Sequence, residues 1–224
     1  MALVKKTPSD AAAKDMVQLS EQEAIMYQLE TIANWTPQSD VWPFNYSMST
    51  LAAAGGLSGI YINKHYRTKL KLGNMARIST YIPIVALPAI VSAVFHHQLV
   101  TQDVVIQRTA CPVCVQVRAA TMQVFSSIVY PMVLAPLATF TFAVRLHTYD
   151  VPYLTTSQGR IAAFQLWRKL TKPIISPLLL ICAAQGILAM GLTAAQTNSM
   201  DVMAQKLRRS EQRYEEEHPQ TLTD

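Results

Sequence analysis

Four stretches of this chain carry no Asp, Glu, Lys or Arg: residues 41–63, 78–102, 119–144 and 173–200. The hydrocarbon core of a bilayer is about 30 Å thick, and a helix crosses it with roughly 20 mainly apolar residues. Each stretch is long enough, so the pattern predicts an all-α membrane protein built as a bundle of four transmembrane helices. Ahead of them, residues 1–19 read as a polar tail. Ser20 and Glu23 then have the spacing of a capping box, in which hydroxyl and carboxylate each satisfy an early backbone N–H. Ile25, Leu29, Ile32 and Ala33 follow at helical spacing, predicting a short amphipathic helix packed at the membrane surface. Behind the last stretch, 201–217 reads as a charged helix with Val202, Met203 and Leu207 on one apolar edge, closed by His218 and Pro219. The predicted plan is a polar N-terminal segment (1–40), a four-helix membrane domain (41–200) and a charged C-terminal tail (201–224).

Finer signals fall inside this plan. Trp35, Trp42, Phe44 and Tyr46 lie between and beside Pro37 and Pro43, where an aromatic belt would mark entry into the bilayer. In the first stretch Gly55 and Gly59 make a GxxxG step, flanked by Ala52 and Gly56 at the same spacing. Lipid tails are as apolar as leucine, so membrane helices associate by close backbone approach, which small residues permit. This surface serves either a seam inside the bundle or contact with a foreign helix. Pro83 and Pro88 in the second stretch, and Pro131 and Pro136 in the third, each remove a helical hydrogen bond and predict kinks. Pro173 has the placement of a first-turn proline, with Pro177 one turn on.

Charge changes the picture by its placement. Of the 224 residues 15% are charged, against roughly 25% in a soluble domain. The net charge of +5 sits beside the spans and not on one arm or face, which argues against nucleic acid. The first loop carries Lys64, Arg67, Lys69, Lys71 and Arg77 with no acid; the third carries Arg145, Arg160, Arg168, Lys169 and Lys172 against Asp150. The second loop has Arg108 and Arg118 as its bases. By the positive-inside rule, loops 64–77 and 145–172 face the inner side, while the termini and loop 96–118 face outward. The start, MALVKKTPSDAAAKDM, has neither an apolar h-region nor an Arg, so targeting is expected to be internal.

Little here suggests catalysis. Cys111-Pro-Val-Cys114 is the one sharp motif, open to reading as a disulfide, a redox dithiol, half a zinc site with His96 and His97, or free thiols. Cys182 reads as a small packed residue. The spans hold no ionisable Asp, Glu, Lys or Arg of the kind that marks proton and ion paths. Gln123, Ser126, Ser127 and Gln185 read as hydrogen-bond partners between helices, with a solute path as the rival reading. There is no phosphate-binding Gly-rich loop, HExxH or nucleophile elbow. The expectation is no enzyme, no cofactor and no metal.

Cys111-Pro-Val-Cys114-Val-Gln-Val-Arg118 forms a Cys-x-x-Cys-x-x-x-Arg element, and in this it resembles the TMEM126 family of mitochondrial inner-membrane proteins. Tyr130-Pro131 running on to Ala143-Val-Arg145 resembles its third span, and Trp167, Thr171, Pro173 and Pro177 entering Leu178-Leu-Leu its approach to the fourth. The Gln18-Leu-Ser-Glu21 start, Gly56 to Gly59 and the basic close of the first span also fit, so the resemblance covers roughly 18–195, with the acidic C-terminal tail departing from it. The resemblance implies a non-enzymatic assembly factor, a chaperone for the membrane arm of respiratory complex I, with membrane-arm subunits as partners. Through the MCIA complex it also implies ECSIT, an acyl-CoA-dehydrogenase-like protein and a CIA30-type factor. A permanent accessory subunit of complex I and a small-solute carrier are the alternatives.

Overall fold

The computed structural model describes residues 19–152 and 156–217, and among these every regular element is helical. The polar tail expected over 1–19, except for its last residue, and the expected stop at His218-Pro219 lie outside the described residues. Helix α1 (Glu21–Ala33) is followed by a 3-10 turn, Gln38–Asp40. Helices α2 (Trp42–Lys69), α3 (Arg77–Val105) and α4 (Pro112–Arg145) come next, then α5 (Ser157–Thr171) and α6 (Ile175–Glu217). Short connections force neighbours to run antiparallel, so α2, α3, α4 and α6 alternate up and down. Three apolar clusters stack along the bundle. Ile32, Val41, Val105 and Met203 close one end, which we call the terminal end. Leu51, Val104, Val115 and Leu192 fill the next layer. Tyr66, Leu70, Leu72, Ala143, Val151 and Leu170 gather at the opposite, basic end.

Helix α1 forms as its sequence dictates. The Ser20 hydroxyl accepts from the Glu23 N–H, while the Glu23 carboxylate accepts from the Ser20 N–H at 2.8 Å. Ile25 and Ile32 are buried, and Ile32 sits in the cluster with Val105 and Met203. The helix therefore packs on the terminal end of the bundle by its apolar stripe.

The structure bears on two expectations about the helices. Among the described residues three helical units are long and apolar enough to cross a membrane: Arg77–Val105, Pro112–Arg145 and Ser157–Tyr214. Helix α2, with 28 residues and about 42 Å of length, is long enough. Asn45, Ser47, Ser49, Thr50, Ser58 and Asn63 dilute its apolar character, so a count of four is not established by composition. The charged C-terminal helix, in turn, is no separate element. Helix α6 runs unbroken for 43 residues, about 65 Å, or twice the hydrocarbon thickness. A span and its extension are one rod.

The proline-bearing spans depart from α geometry in specific places. A π-type turn occupies Ile82–Ala86 around Pro83, another covers Phe125–Val129 just before Pro131, and a third, His97–Thr101, has no proline. A missing N–H lets the ladder slip by one residue, which a π turn accommodates. Pro136 lies inside a regular helix, and Pro173 sits in a 3-10 turn, Lys172–Ile174, that joins α5 to α6.

The bundle is inverted relative to a soluble protein. Ser47, Ser58, Asn63, Ser92, Gln123 and Gln196 are buried, whereas Ile78, Leu137, Leu179, Leu180 and Ile187 are more than half exposed. A soluble domain hides its large aliphatic residues. In lipid there is no gain from hiding them, and polar groups must instead find partners inside. Even α2 obeys this rule: Leu57, Ile60 and Tyr61 face outward while Ser47, Ser58 and Asn63 face in.

Candidate functional site

The glycine seam is the first candidate, and it lies within the bundle. A Cβ on Gly59 would stand 2.3 Å from the carbonyl oxygen of Ile84, closer than any real contact allows. Pro88 lacks the N–H that would normally bond to that Ile84 carbonyl four residues back. The oxygen thus freed is the one that lies over Gly59. Gly56 faces Ala89 and Val85 at 3.8 Å, and Gly55 faces Ser127 of α4 at 3.6 Å and the Pro88 carbonyl at 3.8 Å. Ala52 is half-buried one turn earlier. Of the two uses open to this surface, the structure places α3 and α4 on it.

The second candidate is a polar core. Gln123 donates through Nε2 to Gln185 Oε1 at 2.7 Å and to the Leu51 carbonyl at 3.1 Å, and accepts from Ser92. Gln185 donates to the Ala54 carbonyl and to Ser58 Oγ, each at 2.8 Å. Ser126 and Ser127 both donate to the Gln123 carbonyl. One knot therefore ties α2, α3, α4 and α6. A second layer joins Gln196 to Ser47 at 2.8 Å. All of these side chains are buried, and each bond named here is satisfied by protein.

The terminal end is neutralised by pairing. Asp103 is 3% exposed; Arg118 donates to one carboxylate oxygen and Arg108 approaches the other at 3.2 Å. Arg108 also reaches Glu21, whose hydrogen bond first of all holds that guanidinium above its ordinary pKa. Asp40 accepts from Lys206 at 2.5 Å and from the Trp35 indole at 3.1 Å, and these two bonds, the first more than the second, lower its pKa. Cys111, the N-cap of α4, is joined to Cys114 in a disulfide beside this network. Sequence reasoning noticed Arg108 and Arg118 but not Asp103, which follows one residue after an uncharged stretch. A lone acid beside a span end, with two arginines in the same loop, is the signal in the sequence, but it shows neither the burial nor the pairing of Asp103.

The basic end is different. His65 bonds the Leu170 carbonyl at 2.9 Å and the Tyr66 hydroxyl bonds Thr171 Oγ1 at 2.6 Å, so the two basic loops meet on one face. Burial raises the Tyr66 pKa. Arg67 is 5% exposed and donates to the carbonyls of Gly73 (2.7 Å), Met75 (2.8 Å) and Ala76 (3.3 Å), and to Thr80 Oγ1 (2.7 Å). Lys71, Gly73 and Ala76 all have φ near +50°, and the left-handed turns aim those carbonyls inward. Desolvation is the main reason that the Arg67 pKa is lowered. Among the described residues no carboxylate pairs with Arg67, Lys64, Lys71 or Arg77.

Among the described residues no three His, Cys, Asp or Glu side chains gather as a metal-binding group.

The model of the family "Transmembrane protein 126" matches residues 23–210. A relative named "Transmembrane protein 126" from Drosophila melanogaster is 39% identical over 224 residues, covering 99% of each chain. The family model runs to residue 210 and the Drosophila relative covers nearly the whole chain, so the likeness extends past residue 195, while the acidic residues after 210 lie outside the family model. No solved structure matches the chain.

Proposed function

The chain belongs to the transmembrane protein 126 family, and on that premise we propose that it is a non-enzymatic scaffold of the mitochondrial inner membrane that holds membrane-arm intermediates of complex I during assembly. In this reading α2 is a fourth span, and its outward Leu57, Ile60 and Tyr61 face lipid or a client helix. The single observation that carries the proposal is the combination of an exposed apolar exterior with a closed polar core. Such a bundle offers surfaces to other helices and keeps no open route through itself. The carrier alternative needs water at Gln123, Ser126 and Ser127, whose side chains are buried and bonded to protein.

The partners in this reading are membrane-arm subunits, with ECSIT, an acyl-CoA-dehydrogenase-like protein and a CIA30-type factor as companions. The termini and the 96–118 loop face the intermembrane space, and the two basic loops face the matrix. A disulfide at Cys111–Cys114 supports that orientation, because disulfides persist on the oxidising side.

The test is affinity purification of the full chain from gently solubilised mitochondria, followed by native sizing and mass spectrometry. Membrane-arm subunits in a particle smaller than the finished enzyme are expected. Recovery only within the full-size enzyme would make the chain an accessory subunit instead. Recovery without respiratory partners would overturn both readings and return the carrier to consideration.

A further inference from the structure

At the basic end, a hollow of about 690 Å³ lies between the close of α2, the 70–76 turn and the start of α3. Its walls include Lys64, Arg67, Lys71 and Arg77, with Ile60 and Tyr81 as apolar lining. The Tyr81 ring has the Arg67 guanidinium 5.9 Å from its centre and the Arg77 guanidinium 5.7 Å away. Two like charges are thus brought to one ring, residues 64–77 contain no acid, and among the described residues no carboxylate pairs with either guanidinium. Nor is the guanidinium of Arg67 free to turn away, because four acceptors hold it in place. Preorganised cations without an internal counter-ion are what an anion site requires, and basic pockets between membrane helices bind anionic head groups.

We propose that this hollow binds the phosphate of an anionic phospholipid head group. Lys64, Lys71 and Arg77 contact the phosphate oxygens, while Arg67 positions the turn that carries Lys71. Ile60 beneath the hollow, with the exposed Ile78 and Ile82 on the neighbouring helix, gives the acyl chains an apolar surface. A free phosphate would use the cations but not these aliphatic neighbours. The proposal rests on membrane insertion alone and not on the assembly role.

The experiment uses the full chain in neutral detergent, exposed to mixed micelles of phosphatidylcholine and phosphatidylglycerol, with native mass spectrometry to count the retained lipid. The wild type is expected to retain phosphatidylglycerol over phosphatidylcholine. The pair Lys71→Gln with Arg77→Gln, both at exposed positions, should weaken retention about 25-fold, two bases each contributing on the order of a factor of five. The pair Arg168→Gln with Lys169→Gln removes the same charge at the same end outside the hollow and should leave retention unchanged. Equal loss in both pairs would show diffuse attraction and overturn the site, as would the absence of any preference for the anionic lipid. Inorganic phosphate in excess is the second arm. Persistence of the lipid supports a head-group site, and its displacement would overturn the lipid in favour of a free phosphate.

Discussion

The two ends of the bundle solve the same problem in opposite ways. Each must stop a set of apolar helices and place charge at the water boundary. At the terminal end every named cation meets an acid: Arg118 and Arg108 meet Asp103, Arg108 meets Glu21, and Lys206 meets Asp40. At the basic end Arg67 is held by carbonyls, and among the described residues no carboxylate pairs with Lys64, Lys71 or Arg77. The terminal end is electrically closed and carries a docked helix and a long rod; the basic end is tightly folded but electrically open. The difference teaches that rigidity and charge balance are separable. A loop can be fixed by a buried arginine without that arginine being neutralised, and its remaining charge is available to something outside the chain.

The largest expected effect falls between the ends, on the seam that holds both in register. Gly59→Ala should cost about 3 kcal/mol or more, since its Cβ would meet backbone and not a flexible side-chain tip. Gly191, with nothing within 4 Å of an added Cβ, is the control, and Gly191→Ala should cost nothing. Unfolding midpoints in detergent decide the matter. Equal stability of the two variants would mean that α2 and α3 separate easily and that the ends need not communicate.

Next comes the closed end itself. Arg118→Met leaves the buried Asp103 with the more exposed Arg108 and the Thr109 hydroxyl, which donates to it at 3.3 Å. The expected loss is about 2 kcal/mol, below the roughly 3–5 of a fully stripped buried pair, because Arg108 stays. Arg108→Met, at an exposed position, should cost less than Arg118→Met. A reversed order would mean that Glu21, and so the docking of α1, dominates this end.

Gln123→Leu probes the layer between the two ends. It removes the bonds to Gln185, Leu51 and Ser92, and interhelical bonds in membranes average about 0.6 kcal/mol, so a loss of about 2 kcal/mol is expected. Retained stability together with labelling of a cysteine at position 126 by a water-soluble thiol reagent would indicate an open path where a closed knot is described.

What the sequence disclosed follows from the range of each interaction. The capping box at Ser20 and Glu23, the helical class and the middle of α3 and α4 depend on neighbours along the chain and are legible there, whereas α4 begins at Pro112, ahead of the uncharged stretch at 119. The glycine step was legible as a packing surface, but not its partner, because only the fold shows that Pro88 frees the carbonyl opposite Gly59. The number of spans was read from the absence of charge, whereas apolar content also matters, and α2 keeps its polar residues by turning them inward. The break expected at residue 200 was read from composition, yet a helix continues through a change of polarity if nothing caps it. Asp103 and the unpaired state of Arg67 were hidden for a common reason. A charge near a span end looks the same in sequence whether it is paired, buried or free, and only the chain's return from a distant segment decides between them.

The smallest effect concerns the latch between the 3-10 turn and α6. Asp40 has its pKa lowered in the folded state by Lys206 and then by Trp35. A carboxyl lowered on folding contributes stability that is fully present above its unfolded pKa and is lost as pH falls through the folded value. The latch should therefore hold at neutral pH and through the ordinary aspartate range near 3.8, and release only below it. Trp35 reports the event directly, since its indole donates to the same carboxylate. In a chain carrying Trp42→Phe and Trp167→Phe, Trp35 fluorescence should shift on acidification below that range. With Asp40→Asn added, the profile should be flat over the same interval. A transition that survives Asp40→Asn would show that the acid response arises outside the latch, and the Asp40–Lys206 contact would then be passive.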